Sequence, residues 1–157
     1  MWTIPVAAGI TVLDQQLKTF IEKQKKPFFP HTLGKGAVTL ERLHNPGFAL
    51  QKGQEHPENV TRIVTLFFAA FVLRWASRIK IPGAARSSNL QNAAHLGQAL
   101  VVGGAASNWI DRIRRGYVVD YLRFSPGPVK KLVMNLGDLA IFAGAALVLA
   151  GELTPED

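Results

Sequence analysis

Two aspartates in this chain stand where carboxylates are costly. Asp138 falls in an apolar run, MNLGDLAIFAGAALVLA, read as about one and a half turns into a helix with no basic residue one turn away. Asp120 interrupts YVVDYL, where a solvated acid is out of place. Ionisable groups in such segments are functional-site hypotheses by default. Two carboxylates brought together in a low-dielectric site cannot both ionise easily, so the pair holds one proton. Such a pair can hydrolyse a peptide bond: one member takes a proton from water while the other gives one to the carbonyl oxygen. Aspartates also carry protons and ions through membranes, and the residues alone leave both readings open. The spacing Asn-x-x-Asp occurs twice, as Asn108 with Asp111 and Asn135 with Asp138, and i and i+3 share a helix face.

The other charged residues of apolar segments read as support. Asp14 and Lys18 sit at i and i+4 with the acid on the N-terminal side, the favourable order for a pair that helps a helix bundle fold. Asp111 and Arg112 read as a structural or positioning pair. Arg114 and Arg115 read equally as headgroup contacts or as a solvated face.

Competing chemistries fit worse. There is no Cys, which excludes disulfides, thiolate zinc sites, Cys nucleophiles and a lipid-bearing Cys in this chain itself. No HExxH is present, and His31, His44, His56 and His95 are scattered without metal-ligand spacing. No GxSxG marks a serine nucleophile. No metal and no organic cofactor is expected.

These residues need elements to position them. The chain of 157 residues suits one domain, 1–157. Its net charge of +7 sits beside 48% hydrophobic residues. The basic residues flank apolar segments, so a membrane surface is the expected partner and nucleic acid is not. A spanning helix needs roughly 20 mostly apolar residues. Four segments qualify, at about 2–21, 61–79, 90–110 and 132–151. The third carries Gln91, Asn92, His95, Gln98 and Asn108, too many polar groups to face lipid all round. Its Gly97, Gly103, Gly104, Ala105 and Ala106 allow close helix approach, so it reads as the central helix of a bundle. AVTLERLHN and YVVDYL read as strands, and SPGP as a turn. The N-terminus lacks a basic n-region and a cleavage site, so the first apolar segment is expected to stay in the mature protein. A bare count of Lys and Arg near the span ends places the first and third connections in the cytoplasm.

Five blocks in this order resemble signal peptidase II, the prolipoprotein signal peptidase family of bacteria (aspartyl peptidase family A8). They are Asp14-x-x-x-Lys18, Asn45 with Gly47, GGAASNWIDR, GYVVDYL and MNLGDLAI. The resemblance implies an all-α membrane fold of four transmembrane helices, with a small extracytoplasmic β-cradle and an interfacial helix built from the first loop. It implies that Asp120 and Asp138 are the catalytic pair, that Asn45, Asn108, Arg112 and Asn135 position substrate or support the pair, and that Asp14, Lys18 and Asp111 are structural. The implied substrate is a diacylglyceryl-modified prolipoprotein cut just before its lipid-bearing Cys. Membrane lipids and globomycin-type inhibitors are further implied partners. The resemblance also places both termini in the cytoplasm and the site near the outer face of the bacterial cytoplasmic (inner) membrane, and this topology is preferred to the charge count. The departures fall in packing residues, Met134 and Leu50 for Phe among them. Ser107 replaces the usual Gly, Gly137 stands where the pattern has Ala, and Phe48 follows Gly47 where the pattern has Ala. The rival readings are a non-catalytic binder of lipidated peptides and a small proton or ion transporter using Asp14, Lys18 and Asp138.

Overall fold

A computed structural model describes residues 2–25, 28–48, 53–78, 89–125 and 132–152. Four helices carry most of the chain: α1 (Thr3–Lys23), α2 (Pro57–Arg78), α3 (Asn89–Arg115) and α4 (Leu136–Glu152). A small antiparallel sheet is built from β1 (His31–Leu33), β2 (Val38–Asn45), β3 (Val118–Phe124) and β4 (Val133–Met134), in that spatial order.

The central helix is α3, as its small residues predict. It packs against α1, α2 and α4, most extensively α4. The α3–α4 seam is glycine on glycine. A Cβ at Gly97 would sit 2.5 Å from the Gly144 carbonyl oxygen, and one at Gly104 would overlap the carbonyl of Gly137. Neither pair tolerates a side chain at this backbone separation. On the other side, Trp109 fixes α2 by donating its indole N–H to Thr65 Oγ1 at 3.0 Å and stacking on Phe68.

Large apolar side chains are exposed on every helix: Val12 and Phe20 on α1, Leu66, Phe67 and Leu73 on α2, Ile113 on α3, Phe142 and Leu149 on α4. Exposed apolar side chains in this number mark contact with a membrane or a partner. By length and composition Pro57–Ser77 can cross a membrane alone, and Leu136–Gly151 is an apolar but shorter helix. The helices α1 and α3 interrupt their apolar surface with Asp14, Lys18, Asn108 and Asp111, which point inward.

The sheet closes one end of the bundle. Val119 and Tyr121 of β3 pack with Ile21 at the end of α1. Arg42 of β2 donates to the carbonyls of Glu22 and Gln24, both at 3.1 Å, satisfying acceptors that a helix C-terminus leaves open. His44 and Glu22 make a second link at 2.7 Å. The strand readings of AVTLERLHN and YVVDYL hold as β2 and β3.

Two expectations need correction. The third helix does not stop at residue 110: it runs to Arg115, so Asp111 and the arginines lie on its last turn rather than in a connection. Cations there complement the negative helix end, and Gly116 (φ +77°) then ends the helix in the left-handed region. The fourth helix starts at Leu136, not near 132, because residues 133–134 pair with β3. Asp138 is therefore in its first turn, not one and a half turns deep. The interfacial helix expected from the first loop is not tested, because residues 49–52 lie outside the described ones; within them that loop holds a three-residue 3-10 turn at Gly34–Gly36, and bends and a turn between β2 and α2. The SPGP turn also falls largely outside, at 126–130.

Candidate active site

The register of the sheet sets the first part of the site. Leu40 pairs with Leu122 but Leu43 pairs with Asp120, so β2 spends one extra residue in a bulge between them. Beyond the bulge Asn45 stands opposite Val118. Residues 118 and 120 share a face, so Asn45 shares it too, and its Nδ2 donates to Asp120 Oδ2 at 3.2 Å. A regular ladder would turn Asn45 to the other face. Its own oxygen accepts from the Gly47 amide at 3.1 Å, an Asx turn that holds the amide in place.

The start of α4 supplies the second part. Asn135 caps the helix: its Oδ1 accepts from the Asp138 amide at 2.8 Å, while Asp138 Oδ2 accepts from the Asn135 amide at 3.2 Å. This reciprocal arrangement is a capping box, written in sequence as Asn-x-x-Asp. The free Nδ2 of Asn135 donates to Asp120 Oδ1 at 2.8 Å. One asparagine thus holds both carboxylates. The other Asp138 oxygen, Oδ1, accepts from Asn108 Nδ2 at 2.8 Å.

Asp120 and Asp138 line one cavity of about 240 Å³ with Asn45, Asn108, Arg112 and the apolar Val118, Leu132, Val133, Met134 and Phe142. Asp120 is 3% exposed. Burial first, and then the charge of Asp138, push its carboxyl up to about 7, against the opposing hydrogen bonds from Asn45 and Asn135.

Beneath the cavity lies a second, closed cluster. Lys18 Nζ lies 2.8 Å from Asp14 Oδ2 and 3.0 Å from Asp111 Oδ2, and all three side chains are fully buried. The same ammonium reaches Asn108 Oδ1 at 2.8 Å and Ser107 Oγ at 3.2 Å. Asn108 therefore joins the two clusters, with its oxygen toward Lys18 and its amide toward Asp138. Ser107 donates to Asp14 Oδ2 at 2.6 Å and is part of the buried network.

The expected Asp111–Arg112 pair does not form. Adjacent residues on a helix do not face each other. Asp111 instead pairs with Lys18 and with Arg115, one turn on, at 2.6 Å. Arg112 turns to the sheet side and donates to the Gly47 carbonyl at 2.8 Å and to the Asn108 carbonyl at 3.3 Å. It ties the loop after Asn45 to α3. Arg115 is thus occupied, and only Arg114 of the two remains open to a headgroup.

Two participants escaped the sequence reading. Tyr121 donates to Asp14 Oδ1 at 2.9 Å and accepts from the Leu136 amide at 3.1 Å, linking α1 to the first turn of α4. Burial and the neighbouring Asp14 charge push its phenol well above the usual range. Gln15 donates to Asp111 Oδ1 at 3.0 Å and to the Ser107 carbonyl at 2.9 Å. Their positions beside Asp120 and Asp14 were the available signal.

The fold is that of a membrane enzyme. Two solved bacterial membrane enzymes share it: one determined by the in meso method at 2.3 Å resolution (TM-score 0.79, 20% identity, 96% of this chain and 87% of that one), the other at 1.9 Å (TM-score 0.76, 19% identity, 98% and 94%). The model of the signal peptidase (SPase) II family matches residues 6–154. The chain is 34% identical over 150 residues to the lipoprotein signal peptidase of Allorhizobium ampelinum, covering 92% of this chain and 83% of the relative. It is 31% identical over 157 residues to that of Mesorhizobium japonicum (97% and 84%). To that of Halothermothrix orenii it is 30% identical over 142 residues (89% and 87%). The chain belongs to the signal peptidase II family and is a peptidase of the aspartic type.

Proposed function

We propose that Asp120 and Asp138 are the catalytic dyad of a prolipoprotein signal peptidase. The chain removes signal peptides from prolipoproteins, and the finer reading is that it cuts before a diacylglyceryl-modified Cys. The observation that carries the dyad is the shared cavity: a buried carboxylate, Asp120, and a half-buried one, Asp138, both hydrogen-bonded to Asn135, with the charge of Asp138 acting on Asp120.

The chemistry follows from a pair holding one proton. The ionised carboxylate takes a proton from a water, whose oxygen attacks the scissile carbonyl carbon. The protonated carboxyl gives its proton to the carbonyl oxygen. A gem-diol forms, then collapses as the leaving nitrogen is protonated, and one water is consumed. Asn45, Asn108 and Asn135 hold the two carboxylates in place, and Arg112 anchors the Gly47 loop beside them. Asp14, Lys18 and Asp111 are structural. Their closed, fully buried contact set argues against the transporter reading, which needs groups that exchange partners.

The cavity wall suits a lipid-bearing substrate. Phe142 lines it and is 62% exposed on the outer surface of α4, so the cavity is continuous with the apolar belt. The exposed apolar side chains of α1, α2 and α4, packed around a central α3, support a four-pass arrangement. In it both termini face the cytoplasm and the sheet and dyad lie near the outer face, where a lipidated substrate sits. Globomycin-type inhibitors belong to the same reading.

The test uses purified protein and a lipidated prolipoprotein, with and without EDTA. Asp120→Asn and Asp138→Asn should each lower cleavage at least 10²-fold, the low end of general acid–base contributions, while substrate binding persists. The double mutant should be little worse than either single, because the groups act as a unit. EDTA should leave the wild-type rate unchanged. Near wild-type cleavage by either single mutant at matched protein level would falsify the dyad. Substrate binding without any wild-type cleavage would favour the non-catalytic binder.

A further inference from the structure

A second, larger cavity lies on the far flank of α3. It has a volume of about 760 Å³ and runs between α1 and α3, with Val12, Phe20, Trp109 and Ile113 among its walls. On α3 the dyad cavity uses residues 108 and 112, whereas this groove uses 109, 110, 113, 114 and 115 and shares no lining residue with it. At about 100° per residue 109, 110, 113 and 114 point away from 108 and 112, and only Arg115, at the helix end, lies on their side. The groove is therefore not part of the dyad cavity.

Its rim and floor differ in character. Val12, Phe20 and Ile113 are each more than half exposed, so the floor is open to acyl chains. At the sheet end the rim carries Lys23 and Arg114, one from each helix, and both are exposed. Neither makes a hydrogen bond or ion pair among the described residues. The third rim cation, Arg115, is held by Asp111. Gln16, exposed and likewise without a partner among the described residues, lies one to two turns below Lys23 on α1. Among the described residues the rim has no acidic residue to neutralise the two open cations.

We propose that this groove holds one anionic glycerophospholipid. Its phosphodiester lies between Lys23 and Arg114, its ester and glycerol oxygens are within the range of Gln16, and an acyl chain lies along Val12, Phe20 and Ile113. The apolar floor alone would accept any lipid tail. The two open cations on separate helices select the charge of the occupant. A phosphate held by both also clips α1 to α3 at the end where the sheet docks. The proposal does not draw on the catalytic assignment, and its readouts are lipid binding and thermal unfolding, so its failure would leave the peptidase reading intact.

The experiment is native mass spectrometry of the purified protein with phosphatidylglycerol or phosphatidylcholine of identical chains, alongside thermal unfolding in the same mixtures. Phosphatidylglycerol should bind at one-to-one stoichiometry about tenfold or more tightly than phosphatidylcholine and should raise Tm. Lys23→Ala with Arg114→Ala should abolish that preference. Arg62→Ala with Arg74→Ala, an equal loss of charge on α2, should retain it. Ile113→Trp keeps both cations and should lower occupancy by filling the floor. Equal binding of the two lipids, or a preference that survives the Lys23/Arg114 pair, would overturn the proposal. So would loss of preference in the α2 control.

Discussion

Asn135 and Asp138 cap each other across the first turn of α4, side chain to backbone in both directions. The same Asn135 amide that is left over holds Asp120. Helix capping and carboxylate positioning are therefore separable by chemistry. Asn135→Ser keeps a good N-cap but has no amide to give Asp120. It should cost little stability and still lower cleavage strongly. Asn135→Ala loses both functions and should cost a further ~1 kcal/mol, the usual value of a cap. Thermal unfolding and cleavage rates of the two variants decide this; equal stability of Ser and Ala would mean that the cap contributes nothing.

The raised carboxyl of Asp120 has a pH signature. From an ordinary 3.8 it moves to about 7 in the folded protein. Between those values the folded chain keeps a proton that the unfolded chain has released. Stability from this group therefore falls as pH rises from about 4 to about 7. Asp120→Asn removes the penalty, so its Tm should gain on the wild type across that window and keep the gain at pH 8. Catalysis needs the shared proton, so the wild-type cleavage rate should decline above about pH 7. A Tm difference that is the same at pH 4 and pH 8 would contradict the raised carboxyl.

Ser107 and Gly137 meet at one atom, Asp14 Oδ2. Ser107 donates to it at 2.6 Å, and a Cβ at Gly137 would lie 2.9 Å from it. The two positions therefore divide the space around one carboxylate. Gly137→Ala alone should destabilise, by the ~1–3 kcal/mol typical of overpacking. Ser107→Gly frees Asp14 to shift and should soften that cost. In a double-mutant cycle the coupling should exceed ~0.5 kcal/mol, the level reached by residues in contact. Simple additivity would show that the two sites are independent.

Topology is open to direct labelling, because the chain has no native Cys. A Cys at Gln54, in the exposed turn before α2, should react with an impermeant thiol reagent in intact cells. A Cys at Ser77, exposed near the other end of α2, should not. The reverse pattern would restore the arrangement suggested by counting Lys and Arg.

Much of this protein was legible one segment at a time. The four apolar runs, the strands at 38–45 and 118–124, the Asp14–Lys18 pair and the small-residue face of α3 all follow from local composition and period. So does the suspicion attached to Asp120 and Asp138, since a carboxylate in an apolar run is conspicuous wherever the run ends up. What the sequence left open depended on contacts between distant segments. The start of α4 was misplaced because residues 133–134 pair with β3, a choice made by a partner strand and not by helix propensity. Asp111 was given the wrong partner because adjacency in sequence is not adjacency on a helix, and Lys18 and Arg115 reach it from one helix over and one turn on. Asn45 reaches Asp120 only because a bulge between Leu40 and Leu43 shifts the ladder by one residue. With a side-chain period of two, that single residue decides which face the amide occupies, and no local pattern reports it.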